Sequence, residues 1–599
     1  MSFTTRPELR GTFGMVASTH WLASAAGMAM LERGGNAFDA AAAAGFVLQV
    51  VEPHQNGPGG DMPVLFWSAK EKKPQVLCAQ GPAPAAATIA RYRDLGLDLI
   101  PGTGLLSAVV PGAVGGWLTL LRDHGTMKLA DILEPAIGYA SGGYPVVPVL
   151  AAYIGSVAEL FRKAWPTSAA VYLTGGGPPA AGSLFRNEAL GAFYRRLVHE
   201  AEAAGRSRKK QYQAAQDAFY KGFVAETIDR FCRETKWLDS TGELHGGLLT
   251  GDDMAAWRPQ YEDALTLDYG GLTICKTGPW GQGPAALQTL ALLKGFDVGK
   301  MDPLGPEFVH VMLECLKLAY ADREAWYGDP NFVDVPIETL LSDEYNDARR
   351  KLIGDKASLE LRPGEPGGLA PRLPEMVEWK PPAGAAAAGV GEPGLAVAGP
   401  AAAGEVRSDT VHIDVIDRHG NAVSAMPSGG WMQSSPVIPE LGFPLGSRAQ
   451  MFWLEEGLPA SLAPGKRPRT TLTPGLALKD GEPAMAFGSP GGDGQDQWAL
   501  TFLMRHLHHG MDLQAAIDAP QFLSFHWPSS FYPRDARPGH VQMEARFPMA
   551  TMDALKRRGH GVEVTDDWSL SRLAAVARAD GMLKAAANPR FMQGYAAGR

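Results

Sequence analysis

Between residues 362 and 404 the chain runs through RPGEPGGLAPRLPE and on to PPAGAAAAGVGEPGLAVAGPAAAG. Such a segment offers too little apolar surface to offset the entropy of ordering its backbone. It reads as a linker over 362–404, and no core element can be drawn through it. At residue 405 the pattern changes abruptly. EVRSDTVHIDVIDRHGNAVS, residues 405–424, alternates apolar and polar residues as a strand does. Val411, Ile413 and Val415 fall on one face of it, and Thr410, His412 and Asp414 on the other. RHGN at 418–421 supplies a turn, and AVSAM at 422–426 the returning strand of a hairpin.

Ahead of the linker the pattern is mainly helical. Residues 20–52 read as two helices, the first ending at Gly34-Gly35 and the second capped by Asn36 with Asp39 in its first turn. HQNGPGGD at 54–61 is a Gly-rich loop leading into the strand MPVLFW. Residues 107–350 alternate helices with short strands, including the helix FVHVMLECLKLAYADREAW at 308–326. Past residue 424 a second hairpin, LTPGLAL, KDG, EPAMAFGSP, passes through GGDGQ into the apolar helix DQWALTFLMRHL. Paired strands with helices around them imply a layered α/β arrangement.

A chain of 599 residues exceeds what one core usually supports. A net charge of −9 without a basic cluster argues against nucleic acid as a partner, because that binding rests on Lys and Arg neutralising phosphates. No apolar run is long enough for a bilayer span, and MSFTTRPELRGTFGM lacks the apolar stretch of a secretory signal. Cys78, Cys232, Cys275 and Cys315 are too scattered for a zinc or disulfide framework. The expectation is a cytoplasmic protein with no membrane or nucleic-acid partner and no metal or organic cofactor.

Thr is a good strand residue, so Thr410 alone says little. Its place directly behind a loose leader, with polar Ser408 and Asp409 before it, is what an N-terminal nucleophile requires. A freed α-amine, with a pKa of about 7.7–8.0, serves as base for the hydroxyl beside it. GSPGG at 488–492 joins a strand to a helix, as a plain turn or with Gly491 and Gly492 presenting N–H groups to an oxyanion. PGKRPRTTLTP at 464–474 reads as a solvated basic loop, or as a pocket wall in which Thr470 and Thr471 bond a polar substrate. HLHH at 506–509 has no acidic or Cys partner at ligand spacing.

Together with VPGAVGGW, AFYKG, LTGDDMAAWRP, YADREAWYGDP and HGMDLQAAIDAPQF, these motifs resemble the γ-glutamyltransferase (γ-glutamyltranspeptidase) family of N-terminal-nucleophile hydrolases over nearly the whole chain. The resemblance implies an αββα sandwich and self-cleavage between Asp409 and Thr410. That gives a large subunit 1–409, including the linker, and a small subunit 410–599. The two come from one precursor and form the working unit, with a dimer of that unit open. Thr410 matches the family nucleophile and Ser428 a Thr that assists it. Gly491 and Gly492 match the oxyanion glycines, and Thr470 and Thr471 a substrate-contacting Ser pair.

Three departures concern the substrate. Gln80 stands where the family Arg holds an α-carboxylate, Gly430 where it has an Asn, and Gln450 and Met451 where an acidic pair grips the α-amino group. A neutral amide cannot reproduce a charged bidentate clamp. Arg448 is left as the cation for a different carboxylate. The pattern is similar to the branch with oxamate amidohydrolase and acylase-like members. The expected function is a self-processing amidohydrolase or acyltransferase acting on a small amide through a Thr acyl-enzyme. The alternatives are a carbon–carbon bond-cleaving member and an unprocessed, non-enzymatic homologue.

Overall fold

The computed structural model describes residues 3–378, 394–396, 405–407 and 410–599. Two seven-stranded sheets organise it. The first runs Tyr595–Gly598, Gly14–Ser18, Ile413–Asp417, Ala422–Ala425, Met62–Trp67, Pro74–Ala79 and Gln260–Asp263. The second runs Leu9–Gly11, Met582–Ala587, Ala574–Ala579, Glu482–Gly488, Gly475–Lys479, Leu272–Lys276 and Leu265–Tyr269. Neighbours within each sheet are antiparallel.

Strand periodicity divides the core into three apolar layers. Between the sheets, Met15, Ala17, Leu65, Val76 and Ile416 meet Cys275, Leu476, Ala486, Val576 and Leu583. Val16, Val64, Phe66, Ile413 and Val415 turn outward to a helical layer that includes Ala37–Val51 and Ala113–His124. Ile274, Ala477, Met485 and Phe487 pack outward against Gly283–Leu293, Pro306–Trp326 and Gln495–His509. The order is helix, sheet, sheet, helix: the αββα sandwich. Both sheets draw strands from either side of residue 410.

The expected helix caps are present. Asn36 accepts from Phe38 N and Asp39 N while the Asp39 carboxylate accepts from Asn36 N, a reciprocal box. The first residues of the segment read as a linker are anchored. Arg362 bonds Glu314, Gly364 N donates to Asp322 Oδ1 at 2.6 Å, and Val377–Glu378 pairs with Asp535–Ala536. Most of the remaining linker, and Ser408 and Asp409, lie outside the described residues. Among the described residues no helix is long and apolar enough to cross a membrane, and all four cysteines are free and buried.

Several buried histidines tie stability to pH. Burial pushes His20, His526 and His560 down to about 3 from the usual 6.5, and His54 well below it. An unfolded chain takes these protons near pH 6.5 and the fold refuses them. Their contribution is therefore complete above that pH and is lost as pH falls, by about 1.4 kcal/mol per histidine per pH unit. Thermal unfolding is expected to drop by several degrees between pH 7 and pH 5; an unchanged Tm over that interval contradicts this.

Candidate active site

Thr410 lies three residues before Ile413–Asp417, the third strand of the first sheet, and the parity of that strand turns it toward the gap between the sheets. It forms an isolated antiparallel bridge with Ser428, and their hydroxyl oxygens lie 3.0 Å apart, both buried. Arg572 Nη2 donates to the Thr410 carbonyl at 2.6 Å. Arg572 Nη1 lies 3.6 Å from Glu52, whose buried carboxylate also accepts from Thr19 and Gln593. Burial raises the Glu52 pKa against the pull of Arg572. The backbone at Thr410 is thereby tied to the end of the Ala37–Val51 helix and to the C-terminal segment.

Ser428 is held by the Gly-rich loop predicted at 54–61. Asp61 N donates to Ser428 O at 2.9 Å, and Ser428 N to Asp61 O at 3.0 Å. The loop's glycines permit this approach: a Cβ on Gly60 would lie 2.1 Å from Ser428 O, and one on Gly57 2.4 Å from Gly430 O. Gly430, at φ +62°, would put a Cβ 2.8 Å from Gly60 N. The Asn expected there by resemblance has no room, so this departure is built into the packing.

Below Thr410 on the same strand face, His412 Nε2 lies 2.8 Å from Asp414 Oδ2, both fully buried. Burial raises the Asp414 carboxyl despite its imidazole neighbour. Opposite, Lys276 Nζ lies 2.9 Å from Asp496 Oδ1 and also reaches Thr473 O and Oγ1. Asp496 is in the first turn of the helix that follows GSPGG. Gly491 at φ +125° and Gly492 at φ +50° form that turn, and a Cβ on Gly491 would meet Trp498 at 2.3 Å. Backbone N–H groups at a helix start suit developing negative charge.

Residues 466–474 of the 464–474 loop are buried, not solvated. Lys466, Arg467 and Arg469 are at most 7% exposed. Arg467 pairs with Asp329 and Glu262, Arg469 with Glu324, and Lys466 donates to Pro459 O and Ser461 O. A buried cation needs such partners, and sequence alone does not show that this loop is covered. Thr470 N donates to Trp280 O, while the buried Thr471 hydroxyl has no partner among the described residues.

The substrate candidates separate. Gln80 is buried, donates to Pro468 O, and with Cys78, Gln260, Asp329 and Arg467 lines a cavity of about 130 Å³. Arg448 is committed: its Nε and Nη2 donate to Asp61 Oδ1 at 3.2 and 2.9 Å, and it lies over the Trp431 ring. Gln450 donates to Gly102 O and accepts from Tyr532 N. Sequence reasoning passed over Asp61, Arg572 and Glu52. Asp61 had a signal, as the acid closing the Gly-rich loop; Arg572 had none.

Among the described residues, one group brings three side chains of metal-ligand type together, His310, Glu314 and His560, with ligand atoms within 4.8 Å. Glu314 there already bonds Lys317 and Arg362. The HLHH motif forms no such group; His506 Nδ1 meets Met511 O at 2.8 Å.

Comparison with known proteins agrees with this geometry. The gamma-glutamyltranspeptidase family profile matches residues 23–598. The glutathione hydrolase-like YwrD proenzyme of Bacillus subtilis (strain 168) is 33% identical over 585 residues, 97% of each chain. A solved threonine-to-alanine variant of LmbA2991 is 54% identical over the full length of both chains, with a TM-score of 0.92. Cephalosporin acylase from Bacillus halodurans is 30% identical, covering all of this chain and 97% of its own, with a TM-score of 0.82. The chain is a member of the gamma-glutamyltranspeptidase family of hydrolases.

Proposed function

We propose that this chain is the precursor of an amidohydrolase that cuts itself between Asp409 and Thr410 and then uses Thr410 as nucleophile. The observation that carries this is the buried hydroxyl pair of Thr410 and Ser428, 3.0 Å apart, just ahead of a strand and fixed by Arg572. In maturation, Thr410 Oγ attacks the carbonyl carbon of residue 409 and the amide shifts to an ester. That shift frees the Thr410 amine, and water then hydrolyses the ester, releasing the residue 409 carboxylate and restoring the Thr410 hydroxyl. Fragments 1–409 and 410–599 stay together, because each sheet contains strands of both.

In turnover the free amine takes the Thr410 hydroxyl proton as Oγ attacks a substrate amide. The N–H groups of Gly491 and Gly492 hold the oxyanion, and the proton leaves with the amine product. Water attacks the acyl-Thr410 ester by the same path in reverse. Thr470 and Thr471 contact the substrate. The acyl group is a small one, γ-glutamyl or a related acid. The committed state of Arg448 and the neutral Gln80 favour a substrate without the α-amino-acid clamp.

Intact mass and N-terminal sequencing of the purified protein test this. Two fragments, the smaller beginning at Thr410, are expected, with release of amine from acyl amides. A chain that stays whole on long incubation overturns the reading. Replacing Ser428 with alanine is expected to slow both maturation and turnover by about ten- to a hundredfold, since it removes one hydrogen bond to the nucleophile. Wild-type rates in that variant would dismiss Ser428.

A further inference from the structure

Four buried charged side chains, Arg323, Glu324, Arg469 and Arg534, lie together with the partly buried Asp493 between the loop of Thr470 and Thr471 and the turn of Gly491 and Gly492. Arg469 directly precedes Thr470, and Asp493 directly follows Gly492. Glu324 Oε1 accepts from Arg323 and pairs with Arg469 at 2.9 Å. Asp493 is satisfied by Arg323, by Ser530 N at 2.8 Å and by Ser530 Oγ at 2.8 Å. Three cations stand against two anions.

The surplus falls on Arg534. It is 1% exposed. Its Nη1 makes long bonds to Gln450 O at 3.3 Å and Phe452 O at 3.4 Å, and its guanidinium stacks 3.7 Å over the Trp453 ring. Nε and Nη2 have no acceptor among the described residues. Glu324 Oε2 is also unbonded there, yet giving it to Arg534 still leaves the group one positive charge in excess. Burial and the neighbouring arginines lower the Arg534 pKa to about 9, so it is charged at neutral pH.

Two more observations set Arg534 apart from structural arginines. Its backbone is left-handed, at φ +66°, where a non-glycine residue costs about 1 kcal/mol or more and glycine fits freely. Its loop is also docked on the site at two points, by Ser530 to Asp493 in the turn after Gly492 and by Tyr532 N to Gln450 Oε1 at 3.0 Å. Arg448 shows the contrast, since its charge is already balanced by Asp61. An unbalanced buried charge is costly unless something pairs with it.

We propose that Arg534 is the anion-recognition residue of this site, pairing through Nε and Nη2 with a carboxylate carried by the amide substrate. The proposal rests on the amidohydrolase reading and names its substrate class. The fork of two adjacent N–H donors matches a carboxylate's two oxygens. Arg534 thus supplies the cation that Gln80 does not, from the opposite end of the chain.

Matched amides test this: glutaryl against pentanoyl p-nitroanilide places the acid on the acyl side, and 4-acetamidobenzoate against acetanilide places it on the leaving side. One of the two acids is expected to exceed its neutral mate at least tenfold in kcat/KM. Arg534→Met is expected to bring that ratio to about one, and Arg534→Lys to keep part of the preference. A wild-type preference for the neutral amide in both pairs, or an equal loss on acid and neutral amides in Arg534→Met, overturns the proposal. A chain that remains uncut and inactive refutes the amidohydrolase reading instead. Calorimetry with glutarate and with 4-acetamidobenzoate then decides this one. Binding of either by wild type and not by Arg534→Met supports it; no binding by wild type overturns it.

Discussion

Thr410→Ala is expected to remain a single 599-residue chain and to lose amide hydrolysis by about a thousandfold or more. The loss is this large because one residue supplies two groups. In the proposed mechanism its hydroxyl makes the bond, and the amine that accepts the proton exists only after the cut. Ser428 Oγ, though only 3.0 Å away, cannot stand in, because it is flanked on both sides by peptide bonds. Intact mass and p-nitroaniline release are the measurements. A variant that is still cut at the same bond, or that keeps more than a few per cent of activity, would move the nucleophile elsewhere.

The second large effect is on stability. Asp496→Ala leaves the Lys276 ammonium fully buried with only Thr473 O and Oγ1 as partners. Removing one member of a buried pair costs about 3–5 kcal/mol, mostly because the other stays charged in a poor medium. Denaturant unfolding is expected to show a loss of that size. Lys276→Met combined with Asp496→Leu should recover much of it, since the pair's own net worth is small. A single-variant loss below about 1 kcal/mol would mean that Lys276 finds another anion or sheds its proton. Because Asp496 opens the helix after Gly491 and Gly492, slower turnover should accompany the lost stability.

The fold was legible where local chemistry decides it. Asn36 with Asp39, the hairpin around RHGN and the alternation from Val411 to Val415 each carry their own conformational reason. Motifs close in sequence were read as candidate sites for the same reason. What stayed hidden depends on long-range burial. Nothing in PGKRPRTTLTP shows that three cations will be covered, the two arginines matched by Glu262, Glu324 and Asp329 and Lys466 by two backbone carbonyls. Nothing near Arg448 shows that Asp61, hundreds of residues earlier, takes its charge. The linker misled at its beginning because composition ignores specific anchors such as Arg362 on Glu314 and Gly364 on Asp322.

The first sheet places Tyr595–Gly598 beside Gly14–Ser18, and Thr12 N and Phe13 N donate to Arg599 O at 3.1 and 2.7 Å. Hydrogen bonds thus hold residues 595–599 against residues 12–18, as if the backbone between them were a ring with one seam there. The proposed cut opens a second seam at Thr410. Which seam is covalent matters little to the sheets, since neither interrupts a pairing. A circularly permuted gene, sewn across the Arg599 seam and begun at Thr410, would deliver the N-terminal threonine directly from the ribosome once the initiator methionine is trimmed. Precursor processing would then be a property of gene order, separable from the architecture it serves.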